Sequence, residues 1–327
     1  MPQARITATG SYVPVRKLTN LDLEKMVDTS DEWITARTGI KERRIASKNQ
    51  ACSDLAAKAA ENALEQRGMK PGELDLIIVA TVTPDTFVPS AACMLQEKLG
   101  ASKAAAFDMN AACSGFIYAL SVADSFVRSG QYGKVLVVGS EVLSKITNWQ
   151  DRSTCVLFGD GAGAVLVEKA SGGEGRIVSV DIHADGSKGD LLMIPAGGSK
   201  MPVSEDTLKN GLHYLQMSGN ETFKVAVKTL ENLVLNTLKS NGLHSSEIAL
   251  LIPHQANLRI IKATAERLGI PMDRVAVNID RFGNTSAASI PIALDEAVRA
   301  GRLKHGDYVL LEAFGGGLTW ASALLKW

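Results

Sequence analysis

The chain has 327 residues, of which 46% are hydrophobic and 21% are charged, and its formal net charge at pH 7 is +0. This composition is typical of a globular protein with a large core, and it argues against a disordered chain and against a basic nucleic-acid-binding protein. No apolar run reaches the roughly 18 residues that a membrane span requires, and the first residues lack the pattern of a secretory signal. We therefore expect a cytoplasmic protein with no membrane-spanning segment.

Helical and strand patterns alternate along most of the chain, which predicts a layered α/β fold with buried strands. The first helix signal is the capping-box spacing of Thr29 and Glu32, after which Trp33 and Arg37 share one helical face. This face is either the solvated side of a basic helix or a site for a nucleotide base and its phosphate. Apolar stripes predict two further helices, and apolar runs predict buried strands. The helices span 54–66 and 221–239, and the strands span 74–82, 134–142, 248–253 and 307–314.

The two halves of the chain carry these signals in the same order. GMKPGELDLIIVA (68–80) follows the first long helix, and GLHSSEIALLIPH (242–254) follows the second. Each half then has a helix ending in Leu-Gly, a strand and a turn of small residues. We predict a duplicated α/β unit with halves at 1–172 and 173–327, a seam in SGGEG (171–175), and a long surface loop at 194–211.

The cysteines, at positions 52, 93, 113 and 155, form no short-spaced pair and have no metal-ligand spacing to histidine, which predicts free thiols and no metal site. Cys113, in FDMNAACSGF, is either a small buried residue or a reactive thiol. A helix begins directly after it, so the unpaired N–H groups and the positive helix end would favour a thiolate and bind an oxyanion.

The internal repeat pairs the turn of Cys113 with the turn of Asn284 in RFGNTSAAS. His254, in IPHQANLR, ends the second-half strand whose counterpart ends near Ala80. Taken singly, His254 and Asn284 are ordinary residues of a strand end and a turn. Equivalent turns of a pseudo-twofold fold can face each other, so we predict that Cys113, His254 and Asn284 lie close together.

Two glycine-rich segments have competing interpretations. Gly315 to Gly317 follow a strand and provide either flexibility or close approach of the backbone to a reacting group. FGDGAGAVL (158–166) is similar to a dinucleotide fingerprint, but its glycines precede a strand, so we predict no Rossmann site.

Arg259 and Lys262 are neighbours on one face of a predicted helix after His254. This face is either simply solvent-exposed or a docking site for an acidic partner.

Taken together, the motifs closely resemble the beta-ketoacyl-acyl carrier protein synthase III family of the thiolase superfamily. The likeness runs from GSYVP to TWASALLKW and rests on DTSDEWITARTGI, AACSGF, FGDGAGA, PHQANLRI, GNTSAAS and EAFGGGLTW, in family order. It implies a thiolase-like fold with two βαβαβαββ halves in a five-layer αβαβα sandwich. It also implies a homodimer that uses acyl-CoA as substrate, has no permanently bound cofactor and binds neither nucleic acid nor membrane.

The resemblance further implies a catalytic triad of Cys113, His254 and Asn284. Cys113 would take an acyl group from acyl-CoA, with acetyl-CoA as the expected primer, and malonyl-acyl carrier protein would then lose CO2 and attack it. His254 and Asn284 would hydrogen-bond the malonyl thioester oxygen, and the backbone N–H groups of Cys113 and Gly316 would hold the oxyanion of condensation. Nucleophilic catalysis of this kind predicts ping-pong kinetics and yields 3-oxoacyl-carrier protein, CoA and CO2.

The same likeness assigns binding residues. Thr29, Trp33, Arg37, Arg152 and Asn257 would contact CoA, with Trp33 and Arg152 around its adenine. The carrier protein would dock on Gln255, Ala256, Asn257, Leu258 and Arg259. Phe87 and Val88 would line the acyl pocket, where Val88 replaces a bulky aromatic and leaves room for a longer or branched primer. A condensing enzyme of secondary metabolism with another primer or extender is the alternative, and a non-catalytic acyl-CoA-binding protein is a further one.

Overall fold

The computed structural model describes residues 2–171 and 175–327, so the predicted boundary between residues 172 and 173 lies outside the described residues. The helices in chain order are α1 (Asn20–Leu23), α2 (Asp31–Thr38), α3 (Cys52–Arg67), α4 (Ala91–Leu99), α5 (Gly115–Ser129), α6 (Arg152–Cys155), α7 (Glu205–Lys209), α8 (Gly219–Ser240), α9 (Leu258–Arg267), α10 (Ile279–Phe282) and α11 (Ser289–Arg299). The strands are β1 (Ala4–Tyr12), β2 (Lys17–Thr19), β3 (Glu42–Arg44), β4 (Leu76–Ala80), β5 (Ala105–Met109), β6 (Lys134–Val142), β7 (Asp160–Lys169), β8 (Arg176–Ala184), β9 (Leu192–Met193), β10 (Gln216–Met217), β11 (Ile248–Pro253), β12 (Tyr308–Gly315) and β13 (Thr319–Lys326).

Two mixed sheets of equivalent topology form the framework. The first has the order β1-β7-β6-β4-β5, and the second has the order β8-β13-β12-β11. In both sheets the first two pairings are antiparallel and the next is parallel. A parallel bridge from Leu251 to Val275 occupies the position that β5 holds in the first sheet. The duplicated order of signals in the sequence therefore corresponds to a duplicated sheet.

The sheets and helices stack in five layers. Val135 and Val137 of β6 face a core shared with α5, α11 and the second sheet, whereas Leu136 and Val138 face α3 and α4. Helices α8 and α9 cover the outer face of the second sheet. Because both faces of each sheet are covered, the strands are apolar at successive positions, which is the pattern that predicted them. The five-layer αβαβα arrangement is present as expected.

Glycines allow the second half to approach the first sheet closely. A Cβ at Gly163 would lie 2.6 Å from the backbone nitrogen of Ile292, and a Cβ at Gly139 would lie 2.3 Å from the carbonyl oxygen of Ala287. Gly163 belongs to FGDGAGAVL, whose glycines lie in and just before β7. Its small residues therefore serve packing against α11 and not phosphate binding, in agreement with the rejection of a Rossmann site.

Some expected elements differ from the structure. The cap of α2 is Ser30, which accepts from the backbone N–H of Trp33, so the predicted capping box of Thr29 is wrong by one residue. The strand predicted after the Leu-Gly of the second half is reduced to the bridge at Val275. The expected loop at 194–211 contains α7 and is closed by the two-residue β9–β10 ladder. No helix among the described residues is long and apolar enough to cross a membrane.

Candidate active site

Cys113, His254 and Asn284 line one cavity of about 300 Å³. The cavity receives Cys113 from the first half of the chain and the other two residues from the second half. Exposed Arg37 and Arg259 also line it, so the cavity runs from a basic surface to these three buried residues. The predicted proximity of the three residues is therefore present.

The turns that carry Cys113 and Asn284 have the same geometry. Ala112 and Ser286 are the non-glycine residues with positive φ among the described residues, at 46° and 49°. In each turn the asparagine two residues earlier accepts a hydrogen bond from that residue's backbone N–H, at 3.3 Å for Asn110 and 2.8 Å for Asn284. A 3-10 turn and then α5 or α11 follow. When the two turns are compared by this geometry, Asn284 corresponds to Asn110 and Ser286 corresponds to Ala112, the residue before Cys113.

Cys113 is 8% exposed, and burial raises the pKa of its thiol to about 11. The hydroxyl of Ser286 donates a hydrogen bond to Sγ at 3.4 Å, which opposes that rise. The sequence-based expectation of a favoured thiolate is therefore corrected, because desolvation of the charged form outweighs the donors around the sulfur. The resting side chain of Cys113 is therefore a thiol, which would have to lose its proton to act as a nucleophile.

His254 is held in one orientation by Ser289. Its Nδ1 lies 2.7 Å from the Ser289 hydroxyl, and the backbone N–H of Gln255 donates to that same hydroxyl at 3.3 Å. Because the Ser289 hydroxyl hydrogen has no other acceptor among the described residues, we assign this hydroxyl as the donor to Nδ1, which places the ring proton on Nε2. Burial lowers the pKa of His254 to about 3, so the imidazole is neutral at physiological pH. It offers the cavity an N–H donor.

Asn284 is likewise oriented as a donor. Its side-chain oxygen is taken by the backbone N–H of Ser286, which leaves the amide nitrogen for another acceptor. Its own backbone donates to Leu157 at 2.8 Å and accepts from Gly159 at 3.0 Å, which ties the turn to the first half. His254 and Asn284 thus supply two neutral N–H donors, the arrangement that stabilises a developing enolate oxygen.

Gly315, the last residue of β12, packs directly on Cys113. A Cβ at Gly315 would lie 2.6 Å from the backbone nitrogen of Cys113, so no other residue fits without a shift. Thr319 fixes the two segments together, since its hydroxyl donates to the carbonyl of Ala111 at 2.8 Å. Gly316 is the next residue in this turn and is buried. For Gly315, close approach of the backbone is therefore preferred to plain flexibility as the interpretation.

The predicted CoA contacts form a cluster around Trp33. The guanidinium of Arg37 lies 5.5 Å from the ring centroid, and that of Arg152 lies 5.2 Å from it. Arg152 also donates to the carbonyl of Asp28 at 2.7 Å, which holds it over the ring. Thr29 is adjacent in sequence to this group, and its hydroxyl is buried without a hydrogen-bond partner among the described residues.

The segment from Gln255 to Arg259 begins α9. Asn257 caps the helix by accepting from the N–H of Arg259 at 2.8 Å, and it donates to the carbonyl of Arg37 at 3.1 Å. Arg259 is exposed and lies 5.3 Å from the ring centroid of Phe223. Ala256 and Leu258 are half-buried beside it.

Gln255 requires a correction. It is 0% exposed, and its side chain donates to the carbonyls of Pro253 and Ala276 at 2.8 and 3.1 Å. Its side-chain oxygen accepts from the N–H of Asn278 at 3.0 Å. The prediction that its side chain contacts a carrier protein is wrong, because the amide replaces missing ladder hydrogen bonds beside β11.

Phe87 and Val88 also differ from expectation. They are 85% and 86% exposed and do not line the cavity of their own chain. The apolar wall near the triad is formed instead by side chains that the sequence reasoning did not single out. They are Leu157, Phe158, Leu192, Ala226, Leu230 and Phe314.

Two buried carboxyl groups were also missed. Glu312 is 1% exposed, lines the cavity, and has no partner for either carboxyl oxygen among the described residues. Burial raises its pKa to about 8. Glu141 is 0% exposed at the end of β6, and burial raises its pKa to about 7. The available signal was a glutamate inside each of the apolar runs KVLVVGSEV and YVLLEAF, where a charge is costly.

Family models match both halves of the chain. The model described as 3-Oxoacyl-[acyl-carrier-protein (ACP)] synthase III matches residues 107–186, and the model of its C terminal matches residues 238–327. A protein named Beta-ketoacyl-[acyl-carrier-protein] synthase III from Caldanaerobacter subterraneus subsp. tengcongensis is 57% identical over 324 residues, covering 99% of this chain and 98% of that protein. The chain belongs to the 3-oxoacyl-[acyl-carrier-protein] synthase III family.

Further relatives agree with this membership. A protein of the same name from Xanthomonas campestris pv. campestris is 58% identical, with 99% of this chain and 98% of that protein covered. The crystal structure of 3-oxoacyl-[acyl-carrier-protein] synthase III from Aquifex aeolicus VF5 superposes with a TM-score of 0.91 at 50% identity, and each chain is covered completely. The predicted thiolase-like fold is confirmed, and the protein is an acyltransferase of the condensing type.

Proposed function

We propose that the protein condenses an acyl-CoA primer, with acetyl-CoA as the first candidate, with malonyl-acyl carrier protein. The products are 3-oxoacyl-carrier protein, CoA and CO2, and the reaction initiates fatty acid synthesis. The observation that supports this proposal most directly is the cavity in which Cys113, His254 and Asn284 converge from the two halves. A nucleophile beside two neutral hydrogen-bond donors suits acyl transfer followed by enolate formation.

In the first half-reaction Cys113 attacks the thioester carbon of acyl-CoA and releases CoA. Trp33 and Arg37 at the exposed end of the cavity supply an aromatic face and a cation for the base and phosphates of CoA, with Arg152 beside the same ring. Asn257 joins Arg37 to the start of α9 and completes this binding surface, to which Thr29 is adjacent in the chain. No separate cofactor is needed, because CoA leaves as a product.

In the second half-reaction malonyl-carrier protein enters with its thioester oxygen between His254 Nε2–H and the Asn284 amide. Charge that develops on this oxygen as CO2 leaves is stabilised by both donors, and the carbanion attacks acyl-Cys113. The backbone N–H groups of Cys113 and Gly316 hold the oxyanion of that attack. Arg259 and the exposed parts of Ala256, Asn257 and Leu258 form the docking surface for the acidic carrier protein.

The assembly we propose is a cytoplasmic homodimer. Phe87 and Val88 expose two large apolar side chains side by side, which a second copy of the chain would remove from water. In that arrangement they would bound the partner's acyl pocket instead of their own. The halves of each chain, about 1–172 and 173–327, would both remain within one subunit.

A second candidate is a condensing enzyme of secondary metabolism with another primer or extender. The priming beta-ketosynthase from the R1128 polyketide biosynthetic pathway matches with a TM-score of 0.90 at 36% identity, covering 99% of this chain and 96% of that one. The same triad would serve that chemistry. Primer selectivity would then distinguish the two, since it depends on the apolar wall of the cavity.

Radiolabelled acetyl-CoA tests the proposal. We expect label on Cys113 in the absence of malonyl-carrier protein, and release of labelled acetoacetyl-carrier protein when it is added. Cys113→Ser is the control, because an oxygen nucleophile of similar size should retain little label. Product formed from free malonyl-CoA but not from malonyl-carrier protein would contradict the proposal. A series of acyl-CoA chain lengths would separate it from the second candidate.

A further inference from the structure

Arg43 of β3 carries a guanidinium group that is completely buried, since the residue is 0% exposed. Its side chain makes no ion pair with the described residues, and the neighbouring Glu42 pairs with Lys17 and Arg44 instead. Arginine keeps its charge in folded proteins. A buried cation without a counter-ion costs stability, so its presence at this position requires an explanation.

The guanidinium of Arg43 joins two separate parts of the chain. Nη1 donates to the carbonyl of Leu18 at 3.2 Å and to the side-chain oxygen of Asn20 at 2.9 Å, next to the pairing of β2 with β3. Nη2 donates to the carbonyl of Val156 at 2.7 Å. The planar fork of arginine can reach acceptors on both sides at once. Arg43 therefore fastens the segment at Val156 to the frame around β2 and β3.

The segment that begins at Val156 holds Asn284. Val156, Leu157 and Phe158 line the cavity that contains Asn284. The backbone N–H of Asn284 donates to the carbonyl of Leu157 at 2.8 Å, and the carbonyl of Asn284 accepts from the N–H of Gly159 at 3.0 Å. These bonds form the parallel bridge between Phe158 and Asn284. A shift of this segment would therefore move Asn284 with it.

The aliphatic part of Arg43 packs closely on the same bridge. A Cβ at Gly159 would lie 3.1 Å from the Cβ of Arg43, and a Cβ at Gly283 would lie 3.2 Å from it. Gly283 also has a φ of 67°, which favours glycine there. The two glycines let one side chain approach both of the segments that meet at Asn284.

We propose that Arg43 is a positioning residue that holds the amide of Asn284 in place for decarboxylation, through its hydrogen bond to the carbonyl of Val156. This inference rests on the proposed role of Asn284 in the second half-reaction. Arg43 lies behind the cavity wall and does not line the cavity, so it acts without touching substrate. A displacement of the amide by a fraction of an ångström would weaken its hydrogen bond to the developing enolate oxygen.

The nucleophile takes its position from other contacts. The turn of Cys113 is fastened by the hydroxyl of Thr319, which donates to the carbonyl of Ala111 at 2.8 Å, and by the close packing of Gly315. Loss of the Arg43 hydrogen bonds should therefore impair the second half-reaction and spare the first.

Arg43→Met tests this division, because methionine has an unbranched side chain that fills space and makes none of the three hydrogen bonds. We expect kcat for decarboxylation of malonyl-carrier protein, measured as labelled CO2, to fall about 10- to 30-fold. KM for malonyl-carrier protein should stay within about 2-fold of wild type, and transfer of acetyl label to Cys113 should stay within about 3-fold.

A double-mutant cycle separates positioning from a general loss of structure. In Asn284→Asp the amide donor is already absent, so adding Arg43→Met should slow decarboxylation by less than about 3-fold further. Thr237→Val is the control, because it removes a buried hydrogen bond to Ser322, at 2.7 Å, from residues that do not line the cavity. This control should keep wild-type rates in both half-reactions.

Arg43→Lys keeps the test decisive if Arg43→Met does not fold. Lysine retains the cation but lacks the fork that reaches Leu18 and Val156 together, so we expect decarboxylation to fall about 3- to 10-fold with normal acyl transfer. Wild-type decarboxylation in Arg43→Lys, equal losses in both half-reactions, or an undiminished effect of Arg43→Met in the Asn284→Asp background would overturn the proposal. Absence of label on wild-type Cys113 would instead refute the proposed function itself.

Discussion

The side-chain oxygen of Asn284 accepts the backbone N–H of Ser286 at 2.8 Å, and this bond decides which end of the amide faces the cavity. The oxygen is occupied, so the amide nitrogen is left to donate. A substitution that keeps the oxygen and removes the nitrogen therefore isolates the donor.

Asn284→Asp is that substitution. It retains an acceptor for the Ser286 N–H but replaces the donor with a carboxylate oxygen. We expect decarboxylation of malonyl-carrier protein to fall by about 100- to 1,000-fold, the usual cost of a lost oxyanion donor. Transfer of acetyl label to Cys113 should remain within about 5-fold of wild type. Equal loss of both half-reactions would contradict the assigned role.

Ser289→Ala tests the orientation of His254. Without the hydroxyl at 2.7 Å, Nδ1 loses its donor and the ring can carry its proton there, so Nε2–H is no longer guaranteed. We expect kcat for condensation to fall about 10-fold with little change in KM for malonyl-carrier protein. Ser246→Ala, which removes a hydroxyl from the exposed His244, serves as the matched control. A change confined to KM would argue against a tautomer effect.

Gly315→Ala tests the packing of the glycine turn on the nucleophile. The added Cβ would meet the Cys113 backbone nitrogen at 2.6 Å, which displaces the N–H proposed for the oxyanion hole. We expect condensation to fall at least about 100-fold, measured as release of labelled product. Gly72→Ala is the control, because nothing lies within 4 Å of its added Cβ. Activity within a few-fold of wild type in Gly315→Ala would exclude a tight contact at this point.

Arg259→Ala tests the carrier-docking surface. Removal of an exposed cation should raise KM for malonyl-carrier protein about 5- to 10-fold with little change in kcat, and added salt should have a smaller effect on the variant than on wild type. Lys239→Ala, an exposed cation near the end of α8, should change neither constant. An unchanged KM in Arg259→Ala would remove this residue from the docking surface.

Glu312→Gln tests the buried carboxyl group through protein stability. Its pKa is raised to about 8 in the folded protein, so the folded state holds a proton that the unfolded state has lost at neutral pH. The raised pKa therefore lowers the free energy of unfolding progressively between about pH 4.5 and pH 8. As the pH rises from 5 to 8, we expect the free energy of unfolding of Glu312→Gln to increase relative to that of wild type by at least about 1 kcal/mol. Urea unfolding at a series of pH values measures this difference.

The exposed Glu65 provides the control for that series. Glu65→Gln should change stability by no more than about 0.5 kcal/mol at any of the same pH values. A pH-independent difference between Glu312→Gln and wild type would mean that Glu312 is charged in the folded protein. It would then need a partner that lies outside the described contacts.

Much of the fold followed from local patterns. Strands at 134–142 and 248–253 match β6 and β11 residue for residue, because strands buried on both faces are apolar at successive positions. The repeated order of signals predicted two equivalent sheets, and it paired the turn of Cys113 with the turn of Asn284. The motifs around Cys113, His254 and Asn284 were sufficient to predict the family, and the repeat predicted that these three residues lie close together.

The tertiary structure alone decided how these residues are tuned. Ser286 reaches Cys113 across 173 positions of sequence, and the burial of Gln255 depends on carbonyls of two different segments. The pKa values of Cys113 and Glu141 are set by desolvation, which depends on every layer that excludes water from the site. Residue type and periodicity describe neighbours along the chain, whereas protonation and hydrogen-bond direction are determined by neighbours in space.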